Sequence, residues 1–221
     1  MSLEFQSRTL SNLATEIPGA TAIFRKHKLD FCCGGAVPLS EAAAAKGLDA
    51  ASIADEIAAL APTNHETPRE TNALIAHILT RYHEVHRREL PELIRLAKRV
   101  EAVHGARDDA PRGLADLLHR MALDLESHMQ KEEQVLFPMM EAGGNDFIRH
   151  PIAAMRAEHV EAGDLLKKIE VFGGPAPEDA CPTWRALNAG VTKFCDDLMS
   201  HIHLENNILF SAFEHGSCGC S

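Results

Sequence analysis

Over residues 71–103, apolar side chains recur every three or four positions: Leu74, Ile75, Ile78, Leu79, Tyr82, Val85, Leu93 and Leu96. That spacing puts them on one stripe of a helix. Pro91 lies inside the run, where a kink is expected. A glycine-bounded break at 105–113 ends it. Similar patterns predict a second helix over 114–141, with Pro138 near its end and Gly143-Gly144 beyond. A third is predicted over 151–171, stopped by Gly173-Gly174-Pro175, and a fourth over 181–214. Short connections between long amphipathic helices predict an antiparallel four-helix bundle.

Residues 1–60 carry shorter patterns. Pro18-Gly19 opens a segment running to His27, and Leu29 to Gly35 reads as a turn. Ser40 is placed to cap a short alanine-rich helix ending near Lys46-Gly47. A further helix is predicted from about Ala51 to Leu60, with Ile53, Ile57 and Leu60 on one face. The expected organisation is all-α. A small helical domain (1–60) precedes a linker (61–70, with Pro62, Thr63, Asn64 and Pro68), the bundle (71–215) and a cysteine-containing tail (216–221).

The second and fourth long helices repeat one frame, Asp-Leu-x-Ser-His-x-x-x-Glu-x-x-[Val/Ile]-Leu-Phe, at a constant offset of 73 residues. With 13 His and 32 acidic residues in 221, chance places about two His-x-x-x-acid pairs in such a chain, so the spacing alone decides little. Three occur: His104/Asp108, His128/Glu132 and His201/Glu205. The last two share the repeated frame, which chance does not readily explain.

Positions i and i+4 lie on one helix face. His128 therefore pairs with Glu132 while Glu133 points away, and His201 pairs with Glu205 while His203 leaves that face. Asp124 and Asp197 lie one turn before their histidines and suit the orientation of imidazoles or a proton relay. As solvated ion pairs these residues would contribute only tenths of a kcal/mol. Their neighbours Val135, Leu136, Phe137, Ile208, Leu209 and Phe210 are apolar. A His and a Glu buried together without a metal would be costly.

A pseudo-twofold bundle implies that the other two helices also contribute. The first offers His77, His83 and His86, and periodicity does not choose between His83 and His86. The third offers His159. One histidine from each gives four His and two Glu, and two carboxylates can bridge two cations. Imidazole and carboxylate without thiolate point to iron or manganese. Zinc more often takes four ligands in a closed site. Metals sharing bridging ligands would lie roughly 3.5–4 Å apart. A histidine-rich site suits reversible binding of a small diatomic better than storage.

Composition narrows the functional classes. Hydrophobic residues are 45% and aromatics 5%, which favours helix over strand. The net charge of -10 and the lack of a basic stripe exclude a duplex nucleic-acid binder. No apolar stretch reaches membrane-span length, and the first residues carry no secretory pattern, so the cytoplasm is expected. The six cysteines do not form a secreted disulfide framework. Cys181 and Cys195 read as helix-packing residues.

Cys32-Cys33 stands in a glycine-rich turn. Adjacent Cα atoms lie about 3.8 Å apart, below the usual disulfide span of roughly 4.4–6.8 Å. A bridge there would be strained and reducible. As thiols the pair could accept or hand over iron, or be nitrosated. The plainer alternative is two small side chains packing a small domain.

Arg81-Tyr82-His83-Glu84-Val85-His86-Arg87, the run from Ser127-His128 to Pro138, Glu158-His159 and the run from His201 to Phe210 resemble the hemerythrin-like di-iron proteins. Within that group the match is to the repair-of-iron-centres (YtfE/ScdA, iron–sulfur cluster repair) family. Asp30-Phe31-Cys32-Cys33-Gly34-Gly35 is similar to the dicysteine signature of its N-terminal domain. The resemblance implies two iron ions per chain with an oxo or hydroxo group between them. His83 and His128 would hold one iron, His159 and His201 the other, with Glu132 and Glu205 bridging. It favours His83 over His86. It also implies repair of iron–sulfur clusters after oxidative or nitrosative damage, with binding or reduction of nitric oxide.

The expected function is binding of nitric oxide or dioxygen, with iron or electrons donated to damaged iron–sulfur proteins or a cluster-assembly scaffold. The electron donor is unidentified, and a homodimer would let the dicysteine domain work across two chains. Asp124 and Glu158 are candidates to carry protons or departing iron, and Cys32 and Cys33 for redox or iron transfer. The Cys218/Cys220 tail is an extension of the shared core. Rival readings are a nitric oxide reductase forming nitrous oxide, an oxygen or redox sensor, and a metal-free helical adaptor.

Overall fold

Helix starts in the N-terminal region follow their caps. Thr9 accepts the amide of Asn12 at 3.2 Å and opens α2 (Leu10–Glu16), after the short α1 (Ser2–Ser7). Asp49 accepts the amide of Ala51 at 3.0 Å and opens α5 (Ala50–Ala58). Between them lie α3 (Ala20–Lys26) and α4 (Leu39–Ala44). Ser40 is not the cap of α4. Extended Pro38 is, and it also forms an isolated bridge with Thr9. In this computed structural model, residues 2–17, 19–60, 68, 70–172 and 175–214 are described. Pro18, Gly173-Gly174, most of the expected linker and the Cys218/Cys220 tail lie outside them. Among the described residues there is no β-strand beyond that bridge, and no helix is long and apolar enough to cross a membrane.

The chain forms two compact units, Met1–Leu74 with Met199–Ser221, and Ile75–Leu198. In the first, α1 packs on α4 and α5. Leu10, Leu13, Phe24, Leu29, Phe31, Leu39, Ile53 and Ile57 make the core, with Met199 against it. A Cβ on Gly35 would collide with the Phe31 carbonyl oxygen, and the Gly35 carbonyl accepts the Ser11 amide at 2.9 Å. Glycine there lets the turn close onto α2.

Four long helices have most of their length in the second unit. The first long helix is α6 (Thr71–Ile78), a π turn (Leu79–His83) and α7 (Glu84–His104), which Pro91 does not end. The second is α8 (Leu114–Lys131), a π turn (Glu132–Leu136) and α9 (Phe137–Glu141), between left-handed Gly113 and Gly143. Next come α10 (Arg149–Phe172) and α11 (Pro182–Leu204), which opens on proline. A π turn (Glu205–Leu209) and α12 (Phe210–Glu214) complete the last helix. Contacts step in opposite directions along α11 and the first helix: Arg81 with Asp197, Glu89 with Lys193, His104 with Trp184. The two are therefore antiparallel. α8 packs between α7 and α10.

Three π turns were not expected, and each contains a candidate ligand. His83 closes the first, and Glu132 and Glu205 open the other two at the 73-residue offset. A π turn inserts an extra residue and re-aims the side chains around it, and it is common at functional sites.

Candidate metal centre

Glu132 is fully buried, and neither carboxylate oxygen accepts a hydrogen bond among the described residues. Its nearest basic neighbours are two imidazoles, with His128 Nε2 3.3 Å from Oε1 and His83 Nε2 3.5 Å from Oε2. A buried carboxylate without a proton donor is costly unless a cation faces it.

The imidazoles are turned toward that carboxylate by acids on their other side. His83 Nδ1 lies 2.8 Å from Glu133 Oε1, and His128 Nδ1 lies 2.9 Å from Glu158 Oε2. With Nδ1 directed at a carboxylate, each ring presents Nε2 inward, as metal-binding histidines do. His159 Nε2 comes within 3.0 Å of His128 Nε2 in a buried setting. Such convergence of imidazole nitrogens beside an undonated carboxylate fits a transition-metal ion. Among the described residues, His83 with Glu132, and His128 with Glu132 and His159, belong to two groups that could hold a metal ion. In the other unit, His201 Nε2 and Glu205 Oε1 are 2.9 Å apart and both residues are buried.

Burial works to raise the Glu158 carboxyl, but Lys131 and His128 outweigh it and hold it below the usual range. The same opposition, with Arg87 and His83 outweighing burial, lowers Glu133.

Several expectations change. His83, not His86, stands against Glu132, and His86 packs edge-on to Phe194 at 5.5 Å. His83 and His128 approach different oxygens of Glu132, and His128 converges with His159. Adjacent helices bring together rings that spacing along the chain cannot rank.

Asp124 is exposed and 3.5 Å from Arg120, and Asp197 bonds Arg81 and Lys193, so neither orients its histidine. A helical side chain leans toward the N-terminus, so a short Asp one turn earlier leans away from the following imidazole. Acids on other helices face the outer nitrogens instead: Glu158 behind His128 and Glu133 behind His83.

In the dicysteine turn, Asp30 Oδ1 accepts the amides of Cys32, Cys33 and Gly34 at 3.2, 3.0 and 3.1 Å. The two thiols are not joined in a disulfide; their Sγ atoms lie 3.8 Å apart, with Cys32 buried and Cys33 exposed. The hydrogen bond to Cys33, then burial and the nearby charges, push the Cys32 thiol far up. The pair is thus unequal. At neutral pH, peptide-mapped alkylation should modify Cys33 at least about tenfold faster than Cys32, since the thiolate is the nucleophile. Equal rates would show that the turn does not hold Cys32 as described. Cys195 is buried with its thiol pushed up by burial, whereas Cys181 lies 3.3 Å from His104.

Three residues of the last helix escaped the sequence reading. Asn206 and Asn207 donate to the Cys32 carbonyl at 3.3 and 3.4 Å, and His203 Nδ1 lies 3.3 Å from the Phe31 carbonyl. Burial lowers His203 to about 4, against the opposing Phe31 contact, so the ring is neutral at physiological pH. The only signal was an unusual polar run, His203 to Asn207, inside an apolar segment.

Comparison with known families gives two matches. Residues 74–213 match the hemerythrin HHE cation binding domain, and residues 6–61 match ScdA_N, a domain of unknown function. The chain is 46% identical over 216 residues to the "Probable iron-sulfur cluster repair protein" of Haemophilus influenzae, covering 94% of this chain and 97% of that protein. It is 47% identical over 213 residues to the "Iron-sulfur cluster repair protein YtfE" of Cronobacter sakazakii, covering 94% and 96%. Identity to the Citrobacter koseri protein of that name is 45% over 213 residues, covering 94% and 97%.

Proposed function

Because the chain belongs to the hemerythrin HHE cation-binding family, here joined to an ScdA_N domain, we propose that it holds two iron ions and serves the repair of damaged iron–sulfur clusters. The observation that carries this is Glu132, a buried carboxylate without a hydrogen-bond donor that faces imidazole nitrogens. In the second unit His83 with Glu132, and His128 with Glu132 and His159, would take part in holding the ions, and His201 with Glu205, in the first unit, is the other candidate pair of the repeated frame. Bound iron would supply a redox-active Lewis acid able to take nitric oxide or dioxygen.

The chain's own residues do the rest. Glu133 and Glu158, facing Nδ1 of His83 and His128, would fix the tautomer and orientation that present Nε2 inward. The apolar bundle excludes water. Residues 1–60 and 71–215 are the two joined domains under this function, with Cys33 the exposed thiol able to receive or pass iron. The targets would be proteins with damaged iron–sulfur clusters, the task that the relatives' names give for those proteins; oxidants or nitric oxide as the damaging agents and a cytoplasmic location complete the proposal.

The test is anaerobic ferrous loading followed by metal analysis, with His128→Ala and His86→Ala in parallel. About two irons per wild-type chain, loss in His128→Ala and retention in His86→Ala are expected. Iron-loaded protein should then restore cluster absorbance to a nitric oxide-treated iron–sulfur protein, and His128→Ala should not. A folded wild-type chain that takes up no iron would overturn the proposal.

A further inference from the structure

Resting on the iron-binding reading above, we propose that Arg87 and Glu133 are positioning residues that lock His83 as a donor to one of the two ions. Arg87 lies one turn after His83, and Glu126 and Glu133 lie two turns apart on the facing helix, so the guanidinium falls between the two acids. It donates to Glu133 at 2.7 and 3.2 Å and to Glu126 at 2.8 and 3.1 Å. Glu133 in turn meets His83 Nδ1 at 2.8 Å. A planar fork gripped by two carboxylates fixes the orientation of both. Glu133 is about a quarter exposed, and without Arg87 it could swing into water and release the ring.

The carboxylate behind His128 is held differently. Glu158, behind His128, is met by one amine, Lys131 Nζ at 2.6 Å, whose side chain is half-exposed. In the second copy of the internal repeat, the position 73 residues after Glu133 is Asn206. Its amide turns to the Cys32 carbonyl at 3.3 Å, so the repeated frame has no second carboxylate at this place. A carboxylate behind His83 fixes its tautomer and strengthens its inward nitrogen as a donor.

The experiment uses full-length protein loaded with ferrous iron, comparing wild type with Glu133→Gln, Arg87→Gln and Arg87→Lys. Chelator competition reads the two affinities, and Mössbauer spectra read the two iron environments separately. Expected in Glu133→Gln is a roughly 10–100-fold weakening of one ion with the other unchanged. Arg87→Gln should weaken the same ion by less, and Arg87→Lys should recover part of it, since an amine cannot reproduce the fork. Only one Mössbauer component should change, and melting of the metal-free protein should not fall in step with affinity. Wild-type affinity for both ions in Glu133→Gln and Arg87→Gln, or equal weakening of both, would overturn the lock while leaving the metal site standing. Wild-type chains that bind no iron would overturn the metal reading and the lock together.

Discussion

Glu132→Gln should stabilise the metal-free protein and at the same time abolish its stabilisation by iron. Among the described residues, the buried Glu132 carboxylate accepts no hydrogen bond. A glutamine of the same shape brings an amide that can donate to the Nε2 of His128 or His83, now 3.3 and 3.5 Å from the carboxylate. Removing an unsatisfied buried charge and gaining a bond should add about 1–3 kcal/mol. In a chain of this size that raises Tm by a few degrees, at roughly 2–4 °C per kcal/mol. With metal present the order reverses. A ligand at 100 times its Kd stabilises the wild type by about 2.7 kcal/mol, and the variant, without the shared anion, gains none of it. Thermal melts of both proteins with and without ferrous iron decide the matter. A metal-free variant less stable than metal-free wild type would mean that Glu132 is satisfied by the protein alone.

Much of that centre was legible in the sequence because helices impose a period. His128, Glu132, His201 and Glu205 stood out through a repeat at constant offset, and the same offset relates their π turns. The π turns themselves were not read from the sequence, because each takes up its extra residue inside a continuous helix. What lies across helices was not legible. Periodicity places Glu133 on the far side of its helix from Glu132. It cannot say that His83 comes from a neighbouring helix to meet it there. Asp124 failed for the complementary reason: sharing a face with His128 is not enough when the side chain is short and leans away.

The division of the chain shows the same limit. Sequence pattern ends one domain near residue 60 and starts the next near 71, whereas residues from Met199 onward group with the N-terminal unit. His203, Asn206 and Asn207 supply the reason, because they spend their polar groups on Thr15, Phe31 and Cys32. A helix can serve a metal from one face and a distant segment from another, and a single-face reading of His201 and Glu205 misses the second task.

Asp30→Ala should cost about 1–3 kcal/mol at neutral pH, because one carboxylate oxygen satisfies three consecutive amides of the dicysteine turn. Asp30→Asn should fall between, keeping an acceptor but losing the charge. The pH dependence follows from the direction of the shift. Burial pushes the Asp30 carboxyl up, but the Gly34, Cys33 and Cys32 bonds outweigh it and leave it below its ordinary 3.8. A depressed folded value means that the unfolded chain binds the proton first. The contribution is therefore fully present above the ordinary carboxyl range and is lost as pH falls through the lower folded value. The gap between wild type and Asp30→Ala should stay constant from about pH 5 to 8 and close under stronger acid. The same substitution removes a negative charge beside Cys32, one of the influences that hold that thiol protonated. Cys32 should then alkylate faster in Asp30→Ala, while Cys33 changes little. Unchanged stability together with an unchanged Cys32 rate would mean that the turn is held by its glycines and not by its acid.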